Sequence, residues 1–186
     1  QQVPDNGAEA TERTDVWVFF DDDNVYVTAR CWDSEPEALV ANDMRRDSFQ
    51  IIRNDNFQVV FDTFYDRRNG VGFMVNPIEG FFDYQITDES SPNSDWNPVW
   101  DRRTGRFDGG WIVEMEIPFR SLRYSRGASQ VWGIQLQRYV MRTNEHSYLT
   151  LIPINAFPGI LRLSAAGSLV GLEVPGAGGN LEIKPY

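Results

Sequence analysis

The chain has 186 residues and a formal net charge of −10, with 27 acidic against 17 basic side chains. That balance argues against nucleic acid, whose phosphates need basic partners, and suits neutral ligands or cations. Apolar residues make up 41% and aromatics 13%, which sets aside a disordered chain and allows one sizeable core.

In chain order, short apolar or alternating runs recur between Asp, Asn, Gly and Pro clusters, the pattern of an all-β sandwich or barrel. Segments 15–20 and 25–32 flank Asp21-Asp22-Asp23-Asn24 and predict a hairpin. Ser34, as a possible N-cap, and Pro36 open a candidate helix over 35–46. Segments 57–62 and 71–76 flank a polar turn at 65–70, and 81–86 reads as another strand. The longest loop is expected over 87–99. Trp111, Val113, Met115 and Ile117 alternate with Glu114 and Glu116, and Trp132, Ile134 and Leu136 alternate with polar or small residues, so each run predicts one core face and one wet face. Pro118 ends the first of these strands, and 119–124 suits a single helical turn. Strand candidates at 148–152 and 167–172 follow. The expected fold is an antiparallel, jelly-roll-like β-sandwich over 1–175 with one or two short helical turns, and 176–186 reads as a linker. Trp17, Trp111 and Trp132 are expected in the core.

No apolar run approaches the length of a membrane-spanning helix. A start at Gln1 without a leader suits a mature or cut end, so export stays open. Cys31 is alone, so no intrachain disulfide forms, and its place in an apolar strand makes it a buried structural thiol.

Read together, Ala10-Thr11-Glu12-Arg13-Thr14, Asp21-Asp22-Asp23-Asn24-Val25-Tyr26-Val27, Arg45-Arg46-Asp47, Asp66-Arg67-Arg68, Val75-Asn76-Pro77, Glu116-Ile117-Pro118-Phe119, Leu122-Arg123-Tyr124, Trp132-Gly133 and Asn144-Glu145 form an ordered set. In this order the chain resembles the N-terminal domain of a bacterial family of outer-membrane proteins. There a domain similar to family 9 carbohydrate-binding modules precedes a predicted transmembrane β-barrel. The resemblance implies an extracytoplasmic, periplasmic or cell-surface, non-catalytic carbohydrate-binding module with an oligo- or polysaccharide partner. It also implies a first strand upstream of the Ala-Thr-Glu-Arg-Thr segment and a barrel beyond Tyr186. A protein-interaction or gating module for that barrel is the alternative.

The sharpest candidate site is the loop Asp95-Trp96-Asn97-Pro98-Val99-Trp100. Sugar rings stack their C–H faces on aromatic planes, while their hydroxyls need carboxylate, amide or guanidinium partners. Trp96 and Trp100 supply planes, and Asp95, Asn97 and Arg102 supply polar groups; the competing reading folds the tryptophans back onto the sandwich. Trp32, at a strand end, is a candidate second plane. Asp21, Asp22, Asp23, Asp62 and Asp66 are oxygen-rich, and family 9 modules hold structural Ca²⁺, although turns favour Asp for backbone reasons alone. The Arg-carboxylate clusters read first as structural salt bridges. Glu114 and Glu116 share one wet face, which makes a hydrolytic pair a distant reading. Haem is not expected: His146 with Met74, Met115 or Met141 lacks a Cys-x-x-Cys-His attachment motif.

Overall fold

The computed structural model describes residues 2–174; the expected linker at 176–186 lies outside them. Among the described residues ten strands form two antiparallel sheets. The four-stranded sheet has the order β1 (Thr14–Phe20), β2 (Asn24–Trp32), β7 (Gly110–Pro118), β6 (Asp101–Phe107). The six-stranded sheet runs β10 (Gly167–Glu173), β8 (Ser129–Val140), β3 (Asn56–Asp62), β4 (Gly70–Val75), β5 (Phe81–Ile86), with β9 (Glu145–Tyr148) also on β8. The expected β-sandwich is therefore the fold.

Period-2 alternation fills the space between the sheets. Val25, Val27, Ala29 and Cys31 of β2 and Trp111, Val113, Met115 and Ile117 of β7 face Phe57, Val59 and Phe61 of β3 and Trp132, Ile134 and Leu136 of β8. Trp111 and Trp132 are fully buried there, as expected. Trp17 is not. It stands 49% exposed, because Val18 pairs with inward-facing Val27 and Trp17 with outward-facing Thr28.

β3 is buried along its whole length, so its second face needs a second cover. A smaller core provides it on the outer side of the six-stranded sheet. Ile51, from the 3-10 turn Phe49–Arg53, and Ile160, Leu161 and Leu163 pack there on Val60, Met74, Phe82, Tyr84 and Ile86. The Tyr84 ring packs closely against Gly72 and donates its hydroxyl to Gln58 Oε1 at 3.0 Å.

The expected helix over 35–46 is reduced to one 3-10 turn, Pro36–Ala38. Ser34 does not cap it; its hydroxyl donates to Glu12 Oε1 at 2.6 Å. Beyond the turn the backbone is held open by side-chain acceptors. Asp55 Oδ2 takes the Val40 N–H at 2.8 Å and Asn54 Oδ1 the Asn42 N–H at 2.9 Å, partners that a continuous helix would have consumed internally. The single turn after Pro118 is present as Phe119–Ser121. Further 3-10 turns at Ile154–Ala156, Gly159–Leu161 and Leu163–Ala165 exceed the one or two expected.

The arginine-carboxylate pairs are chiefly structural. Arg138, buried on β8, meets Asp33 at 3.3 Å, and Arg142 meets Asp33 at 2.9 Å and also Glu12, which ties the N-terminal segment to both sheets.

Candidate glycan cleft

Four tethers hold the loop that follows β5. Gln85 and Asn93 exchange backbone hydrogen bonds of 2.9 and 2.8 Å. Arg46 Nη2 donates to Pro98 O at 3.3 Å, and Ser121 Oγ donates to Val99 O at 2.6 Å. Trp100 Nε1 donates to Asp83 Oδ2 at 3.0 Å, and Arg46 pairs with the same carboxylate oxygen at 3.1 Å. Asp83 is fully buried, and that burial pushes its carboxyl up from the usual range against the opposing pull of Trp100 and Arg46.

Those tethers separate the two candidate tryptophans. Trp100 is only 7% exposed, packed edge-on against Phe73 and Phe81 at ring separations of 5.0 and 5.5 Å. Its faces are taken by the core, so the expectation that it stacks on a ligand gives way to a structural role. Trp96 rests one edge on Phe73 at 5.7 Å, stays partly exposed, and lines a cleft of about 880 Å³.

The rest of that cleft comes from distant parts of the chain. Phe64, 52% exposed, and Asn69 enter from the β3–β4 turn, Gln85 from β5, and Arg120 and Arg123 from the segment after β7. Thr63 Oγ1 donates to Arg123 O and joins two of these walls. Asn69 is committed, with Nδ2 on Asp66 at 2.7 Å and Oδ1 receiving the Asp88 N–H at 3.1 Å. The side chains of Gln85, Arg120 and Arg123 have no hydrogen-bond or ion-pair partner among the described residues. The cleft thus offers two aromatic surfaces and uncommitted amide and guanidinium groups, the chemistry that a sugar ring and its hydroxyls require.

The other candidates lie elsewhere. Asp95 and Asn97 are exposed on the loop but do not line the cleft. The Arg102 guanidinium lies 3.6 Å from the Phe81 ring centre and faces a different depression, while burial lowers its pKa. Trp32 sits at the far end of β2, where Nε1 donates to Asp15 Oδ2 at 2.9 Å. The sequence motif therefore supplies the cleft with Trp96 alone.

The aspartates named for calcium serve their own turns. Asp21 Oδ1 accepts the Asp23 and Asn24 N–H groups, both at 2.8 Å, and Asp21 Oδ2 accepts the Tyr26 hydroxyl at 2.8 Å. Asp62, fully buried, accepts the Asp66 N–H at 3.1 Å and the Arg67 N–H at 2.7 Å. Asp66 Oδ1 accepts the Arg68 and Asn69 N–H groups at 2.8 Å. Asp22 and Asp23 are exposed in the first turn. Among the described residues no three His, Cys, Asp or Glu side chains gather in a metal-holding group. Asp21, Asp62 and Asp66 thus spend these oxygens on backbone N–H groups of their own turns.

Comparison with known proteins places the fold. A family 9 carbohydrate-binding module from Caldicellulosiruptor kristjanssonii, in complex with cellotriose, superposes with a TM-score of 0.58 at 16% identity, over 96% of this chain and 84% of that one. The same organism's family 9 module in complex with glucose gives 0.59 at 16% identity, over 95% and 84%. A candidate carbohydrate-binding protein from Bacteroides uniformis gives 0.65 at 11% identity, over 88% and 78%. At these identities the likeness establishes a shared β-sandwich. No family model and no curated protein matches the sequence.

Proposed function

We propose that this domain binds glycans without cleaving them, seating one or two sugar rings in the Trp96 cleft. The observation that carries the reading is the pairing of half-buried Trp96 and exposed Phe64 with the uncommitted Gln85, Arg120 and Arg123 around one cleft. The structural likeness to modules solved with cellotriose and glucose supports it. Trp96 would stack on a sugar face, while the three polar side chains would take its hydroxyls. The two glutamates weighed for hydrolysis, Glu114 and Glu116, lie on the exposed outer face of the four-stranded sheet rather than in this cleft. An extracytoplasmic location, attached to an outer-membrane barrel, belongs to the proposal through the sequence resemblance.

Calorimetric titration with glucose, cellobiose, cellotriose and matched xylo- and manno-oligosaccharides tests it. Trp96→Ala is expected to weaken binding by about tenfold, the upper range for one lost aromatic contact. Arg120→Ala, at an exposed position, should weaken it without touching the core. Wild-type affinity in both variants, or no heat from any sugar, refutes the reading.

A second reading has its own observation. Among the described residues the outer edge of β1 pairs with no strand, and beside it Val16, Val18, Phe57, Ile134 and Leu136 line an apolar groove of about 520 Å³ between the sheets. Such an edge can accept an added strand, so a protein-interaction role for the domain rests on this groove.

A further inference from the structure

The two outer faces of the sandwich are built differently. The second core covers the six-stranded sheet. The outer face of the four-stranded sheet carries no such cover among the described residues, yet it presents aromatic side chains. Trp17 is 49% and Phe19 50% exposed, and both project from β1 on the side opposite Val16 and Val18. Phe19 stacks on Tyr26 of β2 at 5.2 Å and 18° between planes. At the other end Trp32 meets Phe107 of β6 edge-on at 5.1 Å.

Arg30 stands between these groups. Its guanidinium carbon lies 6.0 Å from the Trp17 ring centre, 5.6 Å from Trp32 and 6.0 Å from Phe107. It donates no hydrogen bond and closes no salt bridge among the described residues, so its N–H groups remain available beside three rings. Tyr26, Thr28, Arg30 and Trp32 alternate along one face of β2. From Tyr26 to Trp32 the row covers six residue rises, about 20 Å. Thr28, Glu114 and Glu116 border a shallow cleft of about 320 Å³ at the Tyr26 end.

We propose that this face is a second glycan surface, which holds an extended polysaccharide chain along β2. Three features favour that occupant over a protein. The row is long enough, at about 20 Å, for several consecutive sugar rings. Its aromatic groups form two clusters, Phe19 with Tyr26 and Trp17, Trp32 and Phe107 around Arg30, with Thr28 between them rather than one continuous apolar patch. Carboxylates, a free guanidinium and a threonine hydroxyl lie between and beside the rings, where a protein interface would deplete charge at its centre. A neutral chain with hydroxyls on its edges and C–H faces above and below matches both kinds of group. The proposal does not depend on the Trp96 cleft, which opens between other elements and takes short ligands.

Affinity electrophoresis in gels containing hydroxyethylcellulose, xylan, β-1,3-glucan or galactomannan tests it, with the whole chain and two variants. Trp17→Ala with Phe19→Ala alters the sheet face, and Arg120→Ala alters the cleft. The unaltered protein should be retarded by at least one polymer. The face variant should lose at least about fivefold in affinity for that polymer while keeping its heat with short oligosaccharides. Unchanged near-ultraviolet circular dichroism checks the fold of the face variant. Arg120→Ala should show the opposite pattern, so failure of the cleft is seen separately from failure of the face. Equal retardation of the face variant and the unaltered protein overturns the proposal, as does no retardation by any polymer. Self-association abolished by Trp17→Ala, with no polymer retained, assigns the face to a second copy and equally overturns it.

Discussion

His146 offers the most direct physical test of the structure, because it is the single histidine of the chain. Its ring stacks on Tyr139 at 4.3 Å, meets Phe157 edge-on at 5.2 Å, and leaves buried Nδ1 without a partner. Burial disfavours the imidazolium and lowers the pKa from 6.5 to about 4. Because the folded value is depressed, the contribution is whole above the unfolded value near 6.5 and drains away as pH falls toward about 4. At about 1.4 kcal/mol per pH unit, the full gap amounts to about 3 kcal/mol, of which about 2 kcal/mol is gone by pH 5. Urea unfolding at pH 7.5 and pH 5, run on the wild type and on His146→Gln, isolates this contribution. Burial also raises the Asp55 and Asp83 carboxyls, but they titrate in both proteins and cancel. The imidazole resonance gives the native pKa directly by NMR, without assignment. A native pKa near 6.5, or the same pH slope in His146→Gln as in the wild type, refutes the reasoning.

Three other outcomes are expected. Gly72→Ala should cost about 1–3 kcal/mol by urea unfolding, because the added Cβ would lie 2.3 Å from the Tyr84 ring; a near-neutral result would mean that the second core repacks freely. Asp62→Ala should cost a similar amount by removing a fully buried carboxylate and the acceptor of the part-buried Asp66 and Arg67 N–H groups, and EDTA should leave the melting temperature of the wild type unchanged. A fall on chelation would show that these carboxylates serve a metal after all. Cys31, fully buried with its thiol pushed up to about 12, should react with a disulfide reagent only at the rate of unfolding, and rapid labelling of native protein would contradict its burial.

Much of the fold is written in local pattern. β7 and β8 were legible because one alternating face meets a dry core and the other meets polar surroundings. β6 was not, since Asp101-Arg102-Arg103-Thr104-Gly105-Arg106-Phe107 has no apolar alternation and is a strand only through its pairing with β7. Trp17 was misplaced because residues 16–20 are apolar at every position. Only the register against β2, where Val25, Val27, Ala29 and Cys31 mark the inside, decides which side is buried. The candidate helix at 35–46 was overridden by Asn54 and Asp55, side-chain acceptors whose reach no local pattern announces. Of the candidate site, Trp96 alone was readable, as a large aromatic in a polar loop. Phe64, Gln85 and the pair Arg120 and Arg123 lie in three separate segments, and the topology alone brings them to one cleft.

The tie between Trp100 and Asp83 bears on the glycan affinity proposed for the Trp96 cleft. Trp96 lies four residues from an indole locked into the core, on a loop fastened again at Asn93, Pro98 and Val99. The conformational entropy of that loop is spent during folding, so an arriving ligand need not order it. Preorganisation of this kind lets a small contact area bind usefully. It also means that loosening the anchor, as in Asp83→Asn, can weaken binding without removing any atom that touches the ligand.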